Sequence, residues 1–215
     1  YMDLGHKGKT VIISGGSKGI GAGISEVFAQ EGANLVINYH RNKESCLEFA
    51  GYLSERYGIR TATVQGDVGK EEDVAAIFDC ATQNFGRIDI LVNNAGRGVS
   101  KKFTDITLED WNQCLNDNLT GQFLMSREFA RRVIPAKRKG WIVNILSKAS
   151  CTSTTKGRVC YVCNKSGETG LTHSLAVDLT EYGIHVNGVM PGFVMANTLK
   201  TQYESNRAEF NQRVE

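Results

Sequence analysis

The chain has 215 residues, of which 41% are hydrophobic and 22% charged, as in a globular domain with a sizeable core. A formal net charge of +2 gives no electrostatic reason to expect a nucleic-acid partner, and no apolar run is long enough to cross a membrane. The N-terminus has no secretory apolar core and the six cysteines are scattered, so we expect free thiols and a cytoplasmic protein.

Short apolar stretches alternate with longer stretches of helical periodicity along the chain. We predict six strands, at 10–13, 34–38, 61–65, 89–93, 141–146 and 185–189. We predict six helices, at 20–30, 43–57, 71–85, 108–115, 118–136 and 159–181. Nearly all-apolar strands that alternate with helices predict an α/β fold, with a Rossmann-type, doubly wound parallel sheet in a single domain over 1–215.

The segment after the first strand, Ser14 to Gly21, reads SGGSKGIG and predicts a phosphate-binding turn. Glycine reaches positive φ and lets the backbone approach a ligand, and the start of the next helix offers N–H groups to an anion. The spacing Gly15-x3-Gly19-x-Gly21 differs from the G-x-G-x-x-G of the standard dinucleotide motif. For this segment taken alone, a tight turn that binds no ligand is a serious alternative.

Ligands of such a sheet bind outside the carboxyl ends of the strands, and further informative residues follow those ends. They are Gly66-Asp67-Val68, Asn93-Asn94-Ala95-Gly96, Ser147 and Pro191-Gly192. On the last long helix, Tyr161 and Lys165 are four residues apart and share a face. At an effective dielectric of about 20, a lysine charge ~4 Å away favours the phenolate by about 4 kcal/mol, which lets Tyr161 exchange a proton near neutral pH.

In this order and on these elements, five segments resemble motifs of the short-chain dehydrogenase/reductase family: S-G-x3-G-x-G, N-N-A-G, a strand-end serine, Y-x3-K and P-G. The resemblance runs from about residue 9 to residue 192. It implies hydride transfer between NAD(P)(H) and a carbonyl or alcohol carbon of a small molecule, by a homo-oligomer that is a dimer or tetramer. Compared with the family, we expect the sheet to lack the final helix and strand. The resemblance also implies that residues 193–215 form a lid over the substrate.

The resemblance further implies the catalytic roles. Tyr161 moves the proton, Lys165 holds the cofactor ribose and favours the phenolate, and Ser147 orients the substrate oxygen. Asn118, in the segment NDNLTGQF, matches the asparagine that supports a proton relay from the lysine. Ser150 stays an alternative to Ser147, because the loop between Ser147 and Tyr161 is longer than is usual in the family.

The end of the second strand bears on the choice of cofactor. NAD-preferring relatives carry an acid there, which binds the ribose 2′-hydroxyl, but this chain has Tyr39, followed by His40 and Arg41. Arg41 and Lys18 can pair with a 2′-phosphate, so we expect NADP(H) in preference to NAD(H). The cofactor-binding residues that the resemblance implies are Gly15, Ser17, Lys18, Gly19, Ile20, Gly21, Tyr39, His40, Arg41, Asp67, Val68, Asn94, Ala95, Gly96, Tyr161, Lys165, Pro191, Gly192 and Val194.

Two other functions stay open beside a carbonyl reductase or alcohol dehydrogenase. The first is a 3-oxoacyl-carrier-protein reductase that docks its carrier on the basic run at 131–139, although Val177 and Asp178 stand where such relatives tend to be basic. The second is a catalytically idle NADP-binding sensor or scaffold, against which the complete Tyr-Lys-Ser-Asn set argues. The pair Cys160-x-x-Cys163 has no second pair at zinc spacing, so we expect no metal and interpret both thiols as packing residues.

Overall fold

The computed structural model describes residues 4–152 and 156–195. The strands in this part of the chain are β1 (Thr10–Ile13), β2 (Asn34–Tyr39), β3 (Thr61–Gln65), β4 (Ile90–Asn93), β5 (Gly140–Ile145) and β6 (Ile184–Val189). They form one parallel sheet in the order β3-β2-β1-β4-β5-β6. This is the doubly wound order of a Rossmann-type sheet, so the predicted fold class is confirmed.

The α-helices in the described part of the chain are α1 (Gly19–Gln30), α2 (Lys43–Tyr57), α3 (Glu71–Phe85), α4 (Leu108–Leu115), α5 (Gly121–Val133) and α6 (Val159–Asp178). The helix predicted at 118–136 begins as a π-helical turn, Asn116–Thr120, that continues directly from α4. It ends at Val133, shortly before Pro135, which cannot continue a helix. The helix predicted at 159–181 ends at Asp178 and is followed by the 3-10 turn Thr180–Tyr182, which the left-handed Gly183 caps.

Alternate residues of the strands divide the core into two layers. Ile12 and Val36 belong to the layer between the sheet and α3, α5 and α6, whose largest side chains are Phe78 and Phe129. Their neighbours on β1 and β2, such as Ile13, belong to the layer under α1 and α2. One face of the sheet is covered by α3, α5 and α6, and α1 and α2 cover the β1–β2 part of the other face, whereas His185 and Asn187 of β6 stay exposed. Ligands of such a sheet bind at the carboxyl ends of the strands.

The parallel register brings the predicted site segments to one edge of the sheet. Ile13 pairs with Ile37 and with Val92, and Asn93 pairs with Asn144. The segments that follow these strands therefore leave the sheet side by side.

None of the helices in residues 4–152 and 156–195 combines the length and the apolarity needed to span a membrane. Residues 196–215, which make up most of the predicted lid, lie outside the described part of the chain. The expectation that the sheet lacks the family's last helix and strand stays a prediction.

Candidate active site

Hydrogen bonds connect the glycine-rich turn between β1 and α1 to the segment that follows β4. Asn94 Nδ2 donates to the carbonyl oxygens of Ser14 and Gly15, at 3.0 and 3.1 Å. The Ser14 hydroxyl oxygen accepts the N–H groups of Asn94 and Ala95, both at 3.0 Å. These bonds make the two loops a continuous floor at the carboxyl edge of the sheet.

The turn has the conformation and the open helix end that suit a phosphate group. Gly15 and Gly19 have positive φ angles of 61° and 56°, which L side chains rarely adopt. A Cβ atom at Gly21 would overlap the carbonyl oxygen of Gly15. α1 begins without a side-chain cap and without an acid in its first turn, so its N–H groups and the positive end of its dipole can bind an anion. The other predicted residues of this turn are Ser17, Lys18 and Ile20.

The end of β2 is uncharged at the position where an acid would select a ribose 2′-hydroxyl. Tyr39 is 7% exposed there, and its side chain belongs to the core layer under α1 and α2. The Tyr39 side chain therefore has little surface left for a cofactor, and its carbonyl oxygen accepts the N–H of Gly66 at 3.0 Å. His40 and Arg41 follow on the surface, and Lys18 in the glycine turn is also exposed.

Asp67 and Val68 follow β3 and are both engaged with protein groups. The Asp67 carboxylate accepts the N–H of Gly69 at 2.9 Å, so it also fixes its own turn. Val68 is 7% exposed and packs against the start of α5, where a Cβ atom at Gly121 would lie 2.6 Å from Val68 Cγ2. Val68 therefore contributes to the core beside the edge at which a ligand would bind.

Tyr161 and Lys165 share a face of α6, as their spacing predicts, but the charge around them differs from the expected one. Lys165 Nζ lies 5.9 Å from the centroid of the Tyr161 ring, and the guanidinium carbon of Arg158 lies 4.5 Å from it. Lys165 donates to the carbonyl oxygen of Ile145 at 2.9 Å and to Glu168 Oε2 at 2.8 Å. Because this carboxylate balances the ammonium, the field of Lys165 at Tyr161 is weaker than that of an isolated lysine charge.

Glu168 is a residue of this site that the sequence interpretation did not include. It is 1% exposed, and burial raises the pKa of its carboxyl group, against the lowering effect of Lys165. A buried glutamate without a partner is rare, and Lys165 provides the partner. The available signal was the i, i+3 spacing from Lys165, which places both side chains on one face of a helix.

Ser147 lies directly beyond β5 and caps the short 3-10 turn Lys148–Ser150. Its Oγ accepts the N–H of Ala149 at 3.2 Å. The Ser150 hydroxyl donates its hydrogen to the carbonyl oxygen of Ser147 at 2.8 Å. Because the Ser147 hydroxyl accepts in the cap, its own hydrogen can still be donated to a substrate oxygen. This difference favours Ser147 over Ser150 for that role.

Asn118 lies in the π-helical turn, with its side chain buried below the segment after β4. Its Nδ2 donates to the carbonyl oxygens of Arg97 and Cys114, both at 2.8 Å. Its Oδ1 accepts no hydrogen bond from the residues that the structure describes. Gly96 is adjacent, since a Cβ atom there would lie 2.5 Å from Asn118 Oδ1. A buried acceptor without a donor is well suited to a bound water or a ligand hydroxyl.

The segment after β6 runs beside the segment after β5. The Lys148 N–H donates to the carbonyl oxygen of Pro191 at 3.2 Å. A Cβ atom at Gly192 would meet no neighbour among the described residues within 4 Å, and Val194 is 39% exposed. The predicted contact residues of this segment therefore face open space.

The cysteines beside Tyr161 have different environments. Cys160 is 1% exposed, and burial raises the pKa of its thiol, as expected of a packing residue. Cys163 is exposed, so the prediction that both thiols pack is wrong for this residue. The reason is that the buried stripe of α6 passes through Cys160, Asn164 and Glu168 and leaves Cys163 beside it.

Comparison with known proteins gives concordant matches. The model of the family described as "short chain dehydrogenase" matches residues 9–207. The chain is 34% identical to glucose 1-dehydrogenase 2 of Bacillus subtilis, over 96% of this chain and 80% of that protein. It is 32% identical to the 3-oxoacyl-[acyl-carrier-protein] reductase FabG of Aquifex aeolicus, over 99% and 85%. A crystal structure of a short chain dehydrogenase from Burkholderia cenocepacia in complex with NADP superposes with a TM-score of 0.84, at 33% identity, over 89% of this chain and 77% of that one.

Proposed function

The chain belongs to the short-chain dehydrogenase family, whose members are oxidoreductases that bind a nicotinamide cofactor, and we propose that it transfers a hydride between NADP(H) and a carbonyl or alcohol carbon. The observation that carries the proposal is the position of Tyr161 and Lys165. They lie at the same sheet edge as a glycine-rich turn that is shaped for phosphate. This arrangement joins an anion site to a proton-transferring side chain, as hydride transfer to a carbonyl requires.

The residues of the chain fit the cofactor that the family binds. The Gly15–Gly21 turn would hold the pyrophosphate, since Gly21 leaves room only for a hydrogen and the first N–H groups of α1 have no side-chain cap. The unpartnered Asn118 Oδ1 offers an acceptor below the segment after β4. When bound, the cofactor supplies or accepts the hydride.

The protein side chains would then handle the proton and the orientation of the substrate. Tyr161 gives its phenolic proton to the substrate oxygen in reduction and takes it back in oxidation. Ser147 donates a hydrogen bond to the same oxygen, Lys165 binds the ribose, and Asn118 supports the water through which the proton is replaced. In this proposal, Tyr161 is the catalytic acid and base, and the other three residues position and supply it.

Preference for NADP(H) over NAD(H) is supported by charge at the end of β2. The position that would carry an acid is the buried Tyr39, whereas Arg41 and Lys18 are exposed cations. A 2′-phosphate carries a charge that such cations can pair with, and a 2′-hydroxyl does not. The related structure from Burkholderia cenocepacia is a complex with NADP.

The remaining parts of the proposal concern the substrate side and the assembly. We propose that 1–215 is one domain, that 193–215 forms a lid over a small carbonyl or alcohol substrate, and that the protein acts as a dimer or tetramer. The described start of the lid supports its proposed role, because Phe193 and Met195, in the segment after β6, expose apolar side chains. Such exposed apolar side chains can be buried when the lid closes over a bound substrate.

Similarity to FabG supports a second candidate, reduction of carrier-bound 3-oxoacyl groups. The ion pairs at the end of α5 weaken this candidate. Arg132, in the basic run that would dock an acidic carrier, is already paired with Glu128 at 2.7 Å and with Asp79 at 2.8 Å. Val177 is also 78% exposed and uncharged, next to an exposed Asp178. One of the five cations of that run is therefore already balanced by acids of the protein.

A substrate panel tests the proposed function. Small ketones, sugars and 3-oxoacyl thioesters are assayed with NADPH and with NADH by loss of nicotinamide absorbance. We expect turnover of at least one small carbonyl compound, faster with NADPH. Turnover confined to carrier-bound thioesters would favour the second candidate. NADPH binding without turnover across the whole panel would overturn the proposal and favour an idle sensor or scaffold.

A further inference from the structure

A buried ion pair joins two side chains of α6, and the proposed mechanism uses only one of them. Lys165 Nζ lies 2.8 Å from Glu168 Oε2, and the two side chains are 7% and 2% exposed. Taking two charges out of water is costly, so such a pair is stable only when each member balances the other. Glu168 is therefore tied to the charge and position of Lys165.

The surroundings of Glu168 leave Lys165 as its counter-charge. From α5, Gln122 Nε2 donates to the backbone oxygen of Glu168 at 3.5 Å, and from α6 the Thr172 hydroxyl donates to the same oxygen at 2.7 Å. Both side chains are neutral, and the group presented by β5 is the neutral carbonyl of Ile145, 2.9 Å from Lys165 Nζ. Among the described residues, Lys165 is the charged group that acts on the Glu168 carboxyl.

The pair holds the lysine in a definite place. Lys165 Nζ is shared between Glu168 and the end of β5, two residues before Ser147. In the proposed function the same ammonium binds the cofactor ribose. It must therefore weaken or give up its hydrogen bond to Glu168 when the cofactor binds. A buried carboxylate that loses its only counter-charge binds a proton more tightly, because the low dielectric disfavours its charged form.

We propose that Glu168 is a positioning residue that holds Lys165 before the cofactor binds, and that it takes up a proton from solvent when the cofactor draws the ammonium away. No bond other than the new O–H of the carboxyl group forms, and the proton comes from the buffer. This inference rests on the proposed function, since it assumes that a nicotinamide cofactor binds at Lys165. It makes cofactor binding dependent on pH through a group that does not touch the substrate.

The test measures proton uptake when NADPH binds. Titration calorimetry near pH 7 is repeated in buffers of different ionisation enthalpy, for the full chain and for Glu168→Gln, Lys165→Met and Asp178→Asn. Asp178 is the matched control, because it is an exposed acid at the end of the same helix. The 2′-phosphate of NADPH contributes equally to all four proteins, so the differences between them isolate the carboxyl group.

We expect the wild type and Asp178→Asn to take up the same number of protons, and Glu168→Gln and Lys165→Met to take up fewer, by up to about one per cofactor. Equal uptake in wild type and Glu168→Gln would overturn the inference and leave the proposed function standing. Failure of the wild type to bind NADPH or NADH would instead overturn the proposed function.

A second measurement serves if Glu168→Gln does not fold. The infrared difference spectrum of the wild type, with and without NADPH, should show a new protonated carboxyl band, and Asp178→Asn should show it as well. A spectrum without that band would contradict the inference.

Discussion

Replacement of Gly21 by alanine tests whether the glycine turn is shaped by close packing. The new Cβ would overlap the carbonyl oxygen of Gly15 and lie 2.5 Å from Asn94 Nδ2. Overpacking of this kind costs about 1–3 kcal/mol, and loss of the Asn94 bond to Gly15 about 1 kcal/mol more. Alanine regains about 1 kcal/mol of helix propensity, so we expect a net loss of about 1–3 kcal/mol.

The matched control is Gly23→Ala, in the same helix. A Cβ atom at Gly23 would meet nothing within 4 Å, so this variant gains the helix propensity without the overlap. Urea unfolding should therefore separate the two variants by about 2–4 kcal/mol. Binding of NADPH, followed by fluorescence, should weaken in Gly21→Ala and not in Gly23→Ala. Equal stability and equal NADPH affinity in the two variants would refute the reasoning.

Three further predictions concern the core, a surface carboxylate and the cofactor. Phe78→Ala removes a fully buried ring and should lower the free energy of unfolding in urea by about 3–5 kcal/mol; a loss under 1 kcal/mol would contradict the described packing. The Asp110 carboxyl, which Lys101 and the Thr107 cap hold ionised, has a pKa of about 2, below its ordinary 3.8. Its stabilising effect is thus complete above pH 3.8 and lost as the pH falls through about 2, and a carboxyl NMR titration with an ordinary midpoint would contradict this. Arg41→Ala should raise the Kd for NADPH about 10-fold and leave the Kd for NADH unchanged, as measured by fluorescence titration. An unchanged ratio of the two Kd values would show that Arg41 does not select the 2′-phosphate.

The strands could be predicted well because each is a short run that is rich in apolar and β-branched residues and stands between turn residues. β1 and β3 begin and end at the predicted residues, and β5 is displaced by one residue at each end. Helix ends were harder to predict where hydrogen bonding changes type without a change in composition. The π-helical turn at Asn116–Thr120 is one such place, because its polar sequence also suits an ordinary α-helix.

The motifs predicted which residues meet at the candidate site, but they did not predict how the charges there are balanced. The spacing of Tyr161 and Lys165 places them on one face, but spacing alone does not show that Glu168 balances the lysine at 2.8 Å. Burial of Tyr39 also depends on how β2 packs under α1 and α2, which the local sequence does not determine. The first difference concerns Glu168, which no motif contains, and the second depends on packing between elements.

Tyr161 is the group that moves the proton in the proposed reaction, and Tyr161→Phe tests this role directly. The variant keeps the ring that packs beside Arg158 and Gly98 and removes only the hydroxyl. With a substrate that the wild type reduces, kcat/KM should fall about 10²–10⁴-fold, while the Kd for NADPH stays unchanged. A Tyr161→Phe variant that binds NADPH and turns over within a few-fold of the wild-type rate would contradict the account.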